Sequence, residues 1–224
     1  MKRKNLIINS IIFLLILCII ILVFLTSFNL NAFNESFYKK EFEKYRIYET
    51  FPDKDIERIN SGLLSYLKGK ESDFNKELFN QKEIEHLKDV KLLIQKINLT
   101  YCSISIVSVT SVLALFLLDK KRFLKNLSIA IFAGGLASVL CVIAVLLLIK
   151  MNFSSVFTVF HHIFFPQGGW LFSSSDNIIK LYPSGLFYDA AKRIFTSAFL
   201  YGNILILVGV VGLYQKKILK RQQK

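Results

Sequence analysis

The apolar residues of this chain are gathered in four long blocks and are not spread at amphipathic intervals. The first runs from about Leu6 to Leu25, interrupted only by Asn9, Ser10 and Cys18. A helix needs about 20 apolar residues to cross the hydrocarbon core, so such a block predicts a membrane span. The second block covers Thr100 to Leu118 and carries Ser103, Ser105, Ser108, Thr110 and Ser111. The third covers about Leu127 to Ile149 and the fourth about Ile194 to Leu213. Small residues recur in the last two: Ala130, Gly134 and Ser138, then Gly202, Gly209 and Gly212. They are expected where helix backbones approach closely. The chain therefore reads as an all-α integral membrane protein with four transmembrane helices.

Charge orients the helices. Lys2-Arg3-Lys4, the Lys120, Lys121, Arg122 and Lys125 loop, and the tail residues Lys216, Lys217, Lys220, Arg221 and Lys224 are faced by Asp119 alone. The positive-inside rule then makes both termini and that loop cytoplasmic. These segments account for most of the formal charge of +13, which is a topology signal and no nucleic-acid footprint. We assign residues 1–30, 100–118, 127–150 and 194–214 to the spans. Residues 119–126 form a cytoplasmic loop, and 215–224 a basic cytoplasmic tail. Residues 31–99, an extracytoplasmic helical cap, and 151–193, an aromatic-rich interfacial segment, share the outer face. The first block is too long for a signal h-region and lacks a small-x-small cleavage pattern, so it reads as an uncleaved anchor. Leu17 also stands where a lipobox before Cys18 would need a small residue. Cys18, Cys102 and Cys141 all fall inside apolar blocks, which leaves no disulfide framework and no Cys-rich metal site.

In the cap, a Phe/Tyr-dense stretch leads to Pro52-Asp53 and a helical pattern over about Lys54 to Tyr66. Its apolar face is Ile56, Ile59, Leu63, Leu64 and Leu67, and Gly69 closes it. A second pattern, from about Gln81 to Leu99, is expected to run on into the second span. Stepping 100° per residue gathers Val90, Leu93, Ile94 and Ile97 on one side, with Leu87 at the margin. His86 lies within that stripe, and Asp89, three residues on, reaches the same neighbourhood. A packed histidine, satisfied by a backbone carbonyl or by Asp89, is the plain structural reading. At about seventy residues the cap could hardly bury a sufficient core of its own and is expected to lie on the helix bundle.

The other outer segment holds seven aromatics between Phe153 and Phe172, with His161 and His162 among them. Rings at headgroup depth suit interfacial anchoring. An aromatic belt needs no histidine, however, and a titratable ring at membrane depth is costly without a role or partner. Asp189 is expected to cap the fourth helix.

The three histidines limit the chemistry. Adjacent His161 and His162 do not give the i,i+4 face of a zincin helix, and there is no Cys-x-x-Cys, so no metal or other cofactor is expected. The apolar blocks lack the histidines that haem would require. A Ser/His/Asp triad stays open, although no Gly-x-Ser-x-Gly elbow is present. Acid–base work by two histidines from separate segments fits best, because imidazole exchanges protons near neutral pH. Two rivals are a membrane scaffold or sensor whose cap binds an envelope peptide, and a phospholipid acyl hydrolase.

Three runs sharpen this. They are Glu83-Ile84-Glu85-His86-Leu87-Lys88-Asp89-Val90-Lys91, then Phe160-His161-His162-Ile163-Phe164-Phe165 leading to Trp170-Leu171-Phe172, and Ile178-Ile179-Lys180-Leu181-Tyr182-Pro183 followed by Phe187. Together they resemble the bacterial lipoprotein intramolecular transacylase family, over nearly the whole chain. His86 and His161 match that family's two histidines, while His162 falls at a position the motif leaves free. Lys82-Glu83 stands where Arg-Glu is common.

The resemblance implies a substrate, a lipoprotein whose N-terminal cysteine carries an S-linked diacylglyceryl group and a free α-amine. The sn-2 acyl chain would move to that amine, giving an N-acyl, S-monoacylglyceryl (lyso-form) product. It implies catalysis by His86 and His161, supported by Asp89, Lys91, Phe160, Phe164, Phe165, Trp170 and Tyr182. On this reading His86, with Asp89 to orient it, is the base and His161 the acid. Diacylglyceryl-modified lipoproteins and membrane lipids are the expected partners, with no nucleic acid, and a monomer is expected.

Overall fold

A computed structural model describes the backbone of residues 2–222 and the side chains of residues 2–214. The basic side chains of the tail, 215–224, lie outside the described residues. The described backbone is helical, without strands: α1 (Lys2–Asn31), α2 (Glu35–Lys44), α3 (Ile47–Thr50), α4 (Ile56–Leu67), a 3₁₀ turn (Lys76–Leu78), α5 (Gln81–Leu118), α6 (Phe123–Phe164), α7 (Asn177–Leu181) and α8 (Ser184–Gln222). Among the described residues, four helices are long and apolar enough to cross a membrane, namely α1, α5, α6 and α8. The chain divides into two compact units, one of Met1–Phe28, Thr100–Leu146 and Ile194–Lys224, the other of Asn29–Leu99 and Leu147–Arg193.

The first unit is built from apolar helices, and its packing depends on side chains that are small where backbones meet. Ile8 and Leu15 of α1 pack with Leu115 of α5 and Ala130 of α6. Val23, Val142 and Ala198 form a second layer. A Cβ at Gly209 would stand 2.7 Å from the Phe132 Cα, and one at Gly135 2.9 Å from the Gly202 carbonyl oxygen. Any larger residue at either place would force α6 and α8 apart, as the spacing of small residues predicts. Ser27 Oγ donates to the Ile194 carbonyl at 2.5 Å, so one buried hydroxyl finds its acceptor across helices.

The second unit has its own core. Asn34 caps α2 by accepting from the Phe37 amide at 2.9 Å, and Asp55 caps α4 by accepting from Arg58 at 3.0 Å. Such caps satisfy amides that the helix itself leaves unpaired. The expected α4 face is buried, with Ile56, Ile59, Leu63, Leu64 and Leu67 all inside. Phe37, Phe42, Phe74 and Phe79 of this unit are buried too, with the Phe74 and Phe79 rings 6.0 Å apart. Gly69, at φ +91°, turns the chain out of α4, a conformation that glycine adopts without steric cost.

Two expectations need adjusting. Asp189 does not cap the fourth membrane helix, because α8 already begins at Ser184 and Asp189 lies in its second turn. Its carboxylate instead accepts from Lys44 Nζ at 2.5 Å and from the Tyr45 hydroxyl at 2.7 Å. The apolar block marks where α8 becomes hydrophobic, and the helix itself starts just after Pro183. Likewise, the aromatic-rich segment is not separate from the third long helix. α6 is interrupted at Asn152, whose backbone is extended (φ −158°, ψ 86°), and restarts there. Asn152 Oδ1 accepts from the Ser155 amide at 3.0 Å, which caps the restarted part. This restarted stretch carries His161 in the second unit.

Candidate functional site

The α5 turn that carries His86 is fixed by a reciprocal cap. The Glu83 amide donates to Asn80 Oδ1 at 3.0 Å, and the Asn80 amide donates to Glu83 Oε2 at 2.6 Å. That is a capping box, two unpaired amides satisfied by two side chains. Below it Glu83, His86, Leu87 and Ile94 are all buried, so the apolar stripe read from the sequence is the face α5 presents inward. The stripe also includes a carboxylate.

His161 reaches the same place from the end of α6. The His86 and His161 rings lie with centroids 6.1 Å apart and planes inclined by 28°. Each is less than a tenth exposed. Aromatic rings enclose them. Phe165 and Phe172 meet His86 edge-on at 5.0 and 5.4 Å, and Phe157 and Trp170 lie 4.1 and 4.8 Å from His161. Phe165 also touches His161, at 5.6 Å. His162 is exposed and meets only the edge of this enclosure, perpendicular to Trp170 at 5.1 Å.

The hydrogen bonds of the two imidazoles differ. His161 Nδ1–H donates to the Phe157 carbonyl at 2.7 Å, one turn back in α6. That bond places the ring hydrogen on Nδ1 and leaves Nε2 with a free lone pair. His86 Nδ1 is buried with no hydrogen-bond partner. The plain reading of His86 as a packed, satisfied histidine therefore fails: neither a carbonyl nor Asp89 bonds to that nitrogen. Asp89 instead accepts from Gln167 Nε2 at 3.0 Å.

Both rings lie outside the apolar blocks of their helices, on the charged start of α5 and beyond the break in α6. Burial pushes the His86 imidazole down to about 4, its neighbour His161 adds to the fall, and Asp89 opposes it. Burial also lowers His161, against the pull of the Phe157 hydrogen bond, and His162 lowers it further. Both rings are consequently neutral at pH 7. A neutral imidazole offers a lone pair to a proton in transit, while the apolar enclosure disfavours a lasting charge on either ring.

The supporting residues do not all converge. Phe165 and Trp170 are buried against the pair, whereas Phe160 and Phe164 are exposed, their rings tilted against each other at 4.8 Å. Phe160 still touches His161, at 5.4 Å. Lys91 sits over the Tyr66 ring at 4.1 Å, away from the histidines. Tyr182 belongs to the aromatic core of the second unit. Its hydroxyl donates to Asn60 Oδ1 at 2.9 Å, its ring meets Tyr38 and Phe42, and burial raises its proton affinity. The sequence reading quoted Glu83 in the family-like run but gave it no role, and the signal for its cap was the Asn-x-x-Glu spacing at the start of α5. It placed Phe157 with Phe164 and Phe165 in an aromatic wall beside His161 but did not foresee its carbonyl as the acceptor, which can be placed only once α6 is known to be helical there. Among the described residues no group of three or more His, Cys, Asp or Glu is placed to hold a metal.

Fold and site together define an integral membrane protein with a paired-histidine centre enclosed by aromatic rings. Residues 13–188 match the family described as lipoprotein intramolecular transacylase Lit, and the chain belongs to that family. In structure it is similar to the membrane integral lipoprotein intramolecular transacylase Lit from Bacillus cereus, solved in meso. The TM-score is 0.80 at 20% identity, covering 96% of this chain and 99% of that one. A variant of the same protein with one histidine replaced by arginine gives a TM-score of 0.77 at 21% identity, over 97% and 99% of the two chains. At such identities the likeness speaks for the fold. An uncharacterised protein of Aquifex aeolicus (strain VF5) is 28% identical over 145 residues, or 65% of this chain. The match spans 61% of that relative's length.

Proposed function

We propose that the protein moves the sn-2 acyl chain of an S-diacylglyceryl lipoprotein to the α-amine of its N-terminal cysteine, with His86 and His161 as the acid–base pair. Family membership supports the reaction class. The observation that carries the mechanism is the pair itself, two neutral imidazoles side by side in a mostly apolar enclosure, one with its tautomer set by Phe157.

The substrate supplies both nucleophile and acyl donor. The amine nitrogen attacks the ester carbonyl carbon, and as the N–C bond forms a proton passes to imidazole. Collapse breaks the C–O bond, and the glyceryl oxygen leaves with a proton returned by the pair. The products are an amide and a free hydroxyl, and no water is consumed. Nitrogen, Cα, Cβ, sulfur, two glyceryl carbons, the ester oxygen and the acyl carbon close an eight-membered ring on the way. Holding such a ring in reacting geometry is worth several kcal/mol of barrier. The free lone pair on His161 Nε2 suits it to accept the amine proton, which reverses the roles assigned from the sequence. His86 then completes the relay to the leaving oxygen. Each transfer is worth about 10²–10⁴-fold.

Sidedness belongs to the same proposal. The charge asymmetry supports cytoplasmic termini, an extracytoplasmic cap at 31–99 and a site at the outer membrane interface, where acyl and glyceryl groups are at hand. Exposed Phe160 and Phe164 suit contact with acyl chains there. The test is mass spectrometry of a lipoprotein's N-terminal peptide after co-expression. Unchanged acyl content with one chain moved to nitrogen supports transfer. Loss of a chain makes the protein a hydrolase, and an S-diacylglyceryl peptide left unchanged makes it a scaffold.

A further inference from the structure

Glu83 is 1% exposed, and each of its carboxylate oxygens accepts a backbone amide hydrogen at 2.6 Å. Oε2 serves Asn80 and completes the cap of α5. Oε1 serves Ile178 in the first turn of α7, 95 residues away. One carboxylate thus joins two helix starts. Capping α5 alone would not require the second bond or such deep burial.

The segment that Glu83 holds leads back to the roof of the histidine pair. Residues 165–178 carry Phe165, Trp170 and Phe172, which pack on His86 and His161. The first turns of α5 grip that segment repeatedly. Lys82 Nζ donates to the Leu171 carbonyl, Asn80 Nδ2 donates to Asp176 Oδ1 at 3.1 Å, and Asp89 accepts from Gln167 at 3.0 Å. These contacts are all exposed, whereas the bond from the Ile178 amide to Glu83 is buried. Between Phe165 and Trp170, Gly168 and Gly169 adopt φ of +83° and +85° with no neighbouring atom within 4 Å of a Cβ at either place. The roof has little stiffness of its own there, so its anchor matters more. His86 lies three residues after Glu83, on the same face of α5.

We infer that Glu83 is a positioning residue, which locks the roof segment to the helix turn presenting His86 and so sets the geometry of the histidine pair. The inference rests on the acyl-transfer reading for its kinetic consequence and on structure alone for its spectroscopic one. Trp170 is the only tryptophan of the chain and forms part of the roof. Its emission therefore reports the roof whether or not the protein transfers acyl groups.

The test compares Glu83→Gln and Glu83→Asp with Asp55→Ala, which removes the cap of α4, a helix that contributes no ring to the enclosure of the pair, all as purified full-length protein in detergent. Glu83→Gln keeps the shape but sets an amide N–H₂ against one backbone N–H. Glu83→Asp keeps the charge but falls short of one partner, and it serves if the first variant does not fold. In either Glu83 variant Trp170 emission should move to longer wavelength and become more open to acrylamide quenching. kcat should fall about 100-fold with KM little changed, the scale expected for misplacing catalytic groups by about 1 Å. Asp55→Ala should lower the melting temperature and leave emission and kcat unchanged. A Glu83 variant that folds, melts lower and keeps the wild-type emission and kcat would overturn the inference. Wild-type protein without transferase activity would defeat the acyl-transfer reading, and the emission shift would still decide the anchoring.

Discussion

His161 donates its Nδ1 hydrogen to the carbonyl of Phe157, one turn earlier in the same helix, at 2.7 Å. The bond holds the ring against His86 and turns Nε2 into an acceptor. The neighbouring His162 shares neither the bond nor the burial. Removing either inner imidazole should therefore lower transfer by about 10²–10⁴-fold. His162→Ala should retain most of it. Single-turnover acyl transfer by His86→Ala, His161→Ala and His162→Ala proteins checks this, with detergent elution profiles to verify folding. A dead His162→Ala with an active His161→Ala would place the catalytic register one residue off.

The pH dependence follows from the burial of the pair. His86 is pushed down to about 4 and His161 is lowered as well, by burial first in both. Above the ordinary imidazole range both are neutral, so the acceptor is available at pH 7. As pH falls the first proton inactivates it. The acid limb of kcat should have its midpoint below 6.5, with an apparent pKa that belongs to the coupled pair. Stability should follow the same sign. Between about 6.5 and about 4 the unfolded chain binds a proton that folded His86 refuses, so stability falls as pH falls through this window. Melting temperatures across pH 4–8 should show that decline, and His86→Gln should flatten it. An acid limb centred above 6.5 would contradict the neutral pair.

Much of this was legible because membranes simplify the problem. Unbroken apolar blocks can be read without periodicity, and α1, α5, α6 and α8 all contain the block that marks them. The stripe on α5 was legible at 100° per residue, and it placed His86 inside. The start of α8 was missed because the ten residues from Ser184 to Arg193 are mixed in polarity, and hydropathy alone cannot see a helix that packs in the second unit before turning apolar. The break at Asn152 was missed for a related reason, since no proline or glycine marks it and only the side-chain cap to Ser155 supports it. Glu83 was invisible as an anchor because its second partner lies 95 residues on.

Tyr182 separates core from site. Its hydroxyl donates to the buried Asn60 side chain at 2.9 Å, and its ring lies among Tyr38 and Phe42. Tyr182→Phe leaves the Asn60 carbonyl oxygen without that donor, at a cost of about 1–3 kcal/mol. The melting temperature should drop by several degrees, while kcat of the folded enzyme stays within about threefold of wild type. A larger loss of kcat without loss of stability would move Tyr182 into the catalytic site.

Sidedness can be read with single cysteines in a background from which Cys18, Cys102 and Cys141 have been removed. Glu71 is exposed in the stretch between α4 and the 3₁₀ turn, and Lys120 is exposed in the short connection between α5 and α6. Twelve of the basic residues lie in the three segments assigned to the cytoplasm, and the positive-inside rule counts such residues near span ends. Glu71→Cys should therefore react with a membrane-impermeant maleimide on intact cells, and Lys120→Cys only after the membrane is opened. Both substitutions fall on exposed polar positions, so neither should disturb packing. An odd number of crossings separates the two positions along α5, and they must label oppositely in any arrangement in which α5 spans. Equal labelling in intact cells would remove α5 from the membrane. Reversed labelling would keep the four spans and place the histidine pair on the cytoplasmic side, away from the outer leaflet where the proposed substrate would meet it.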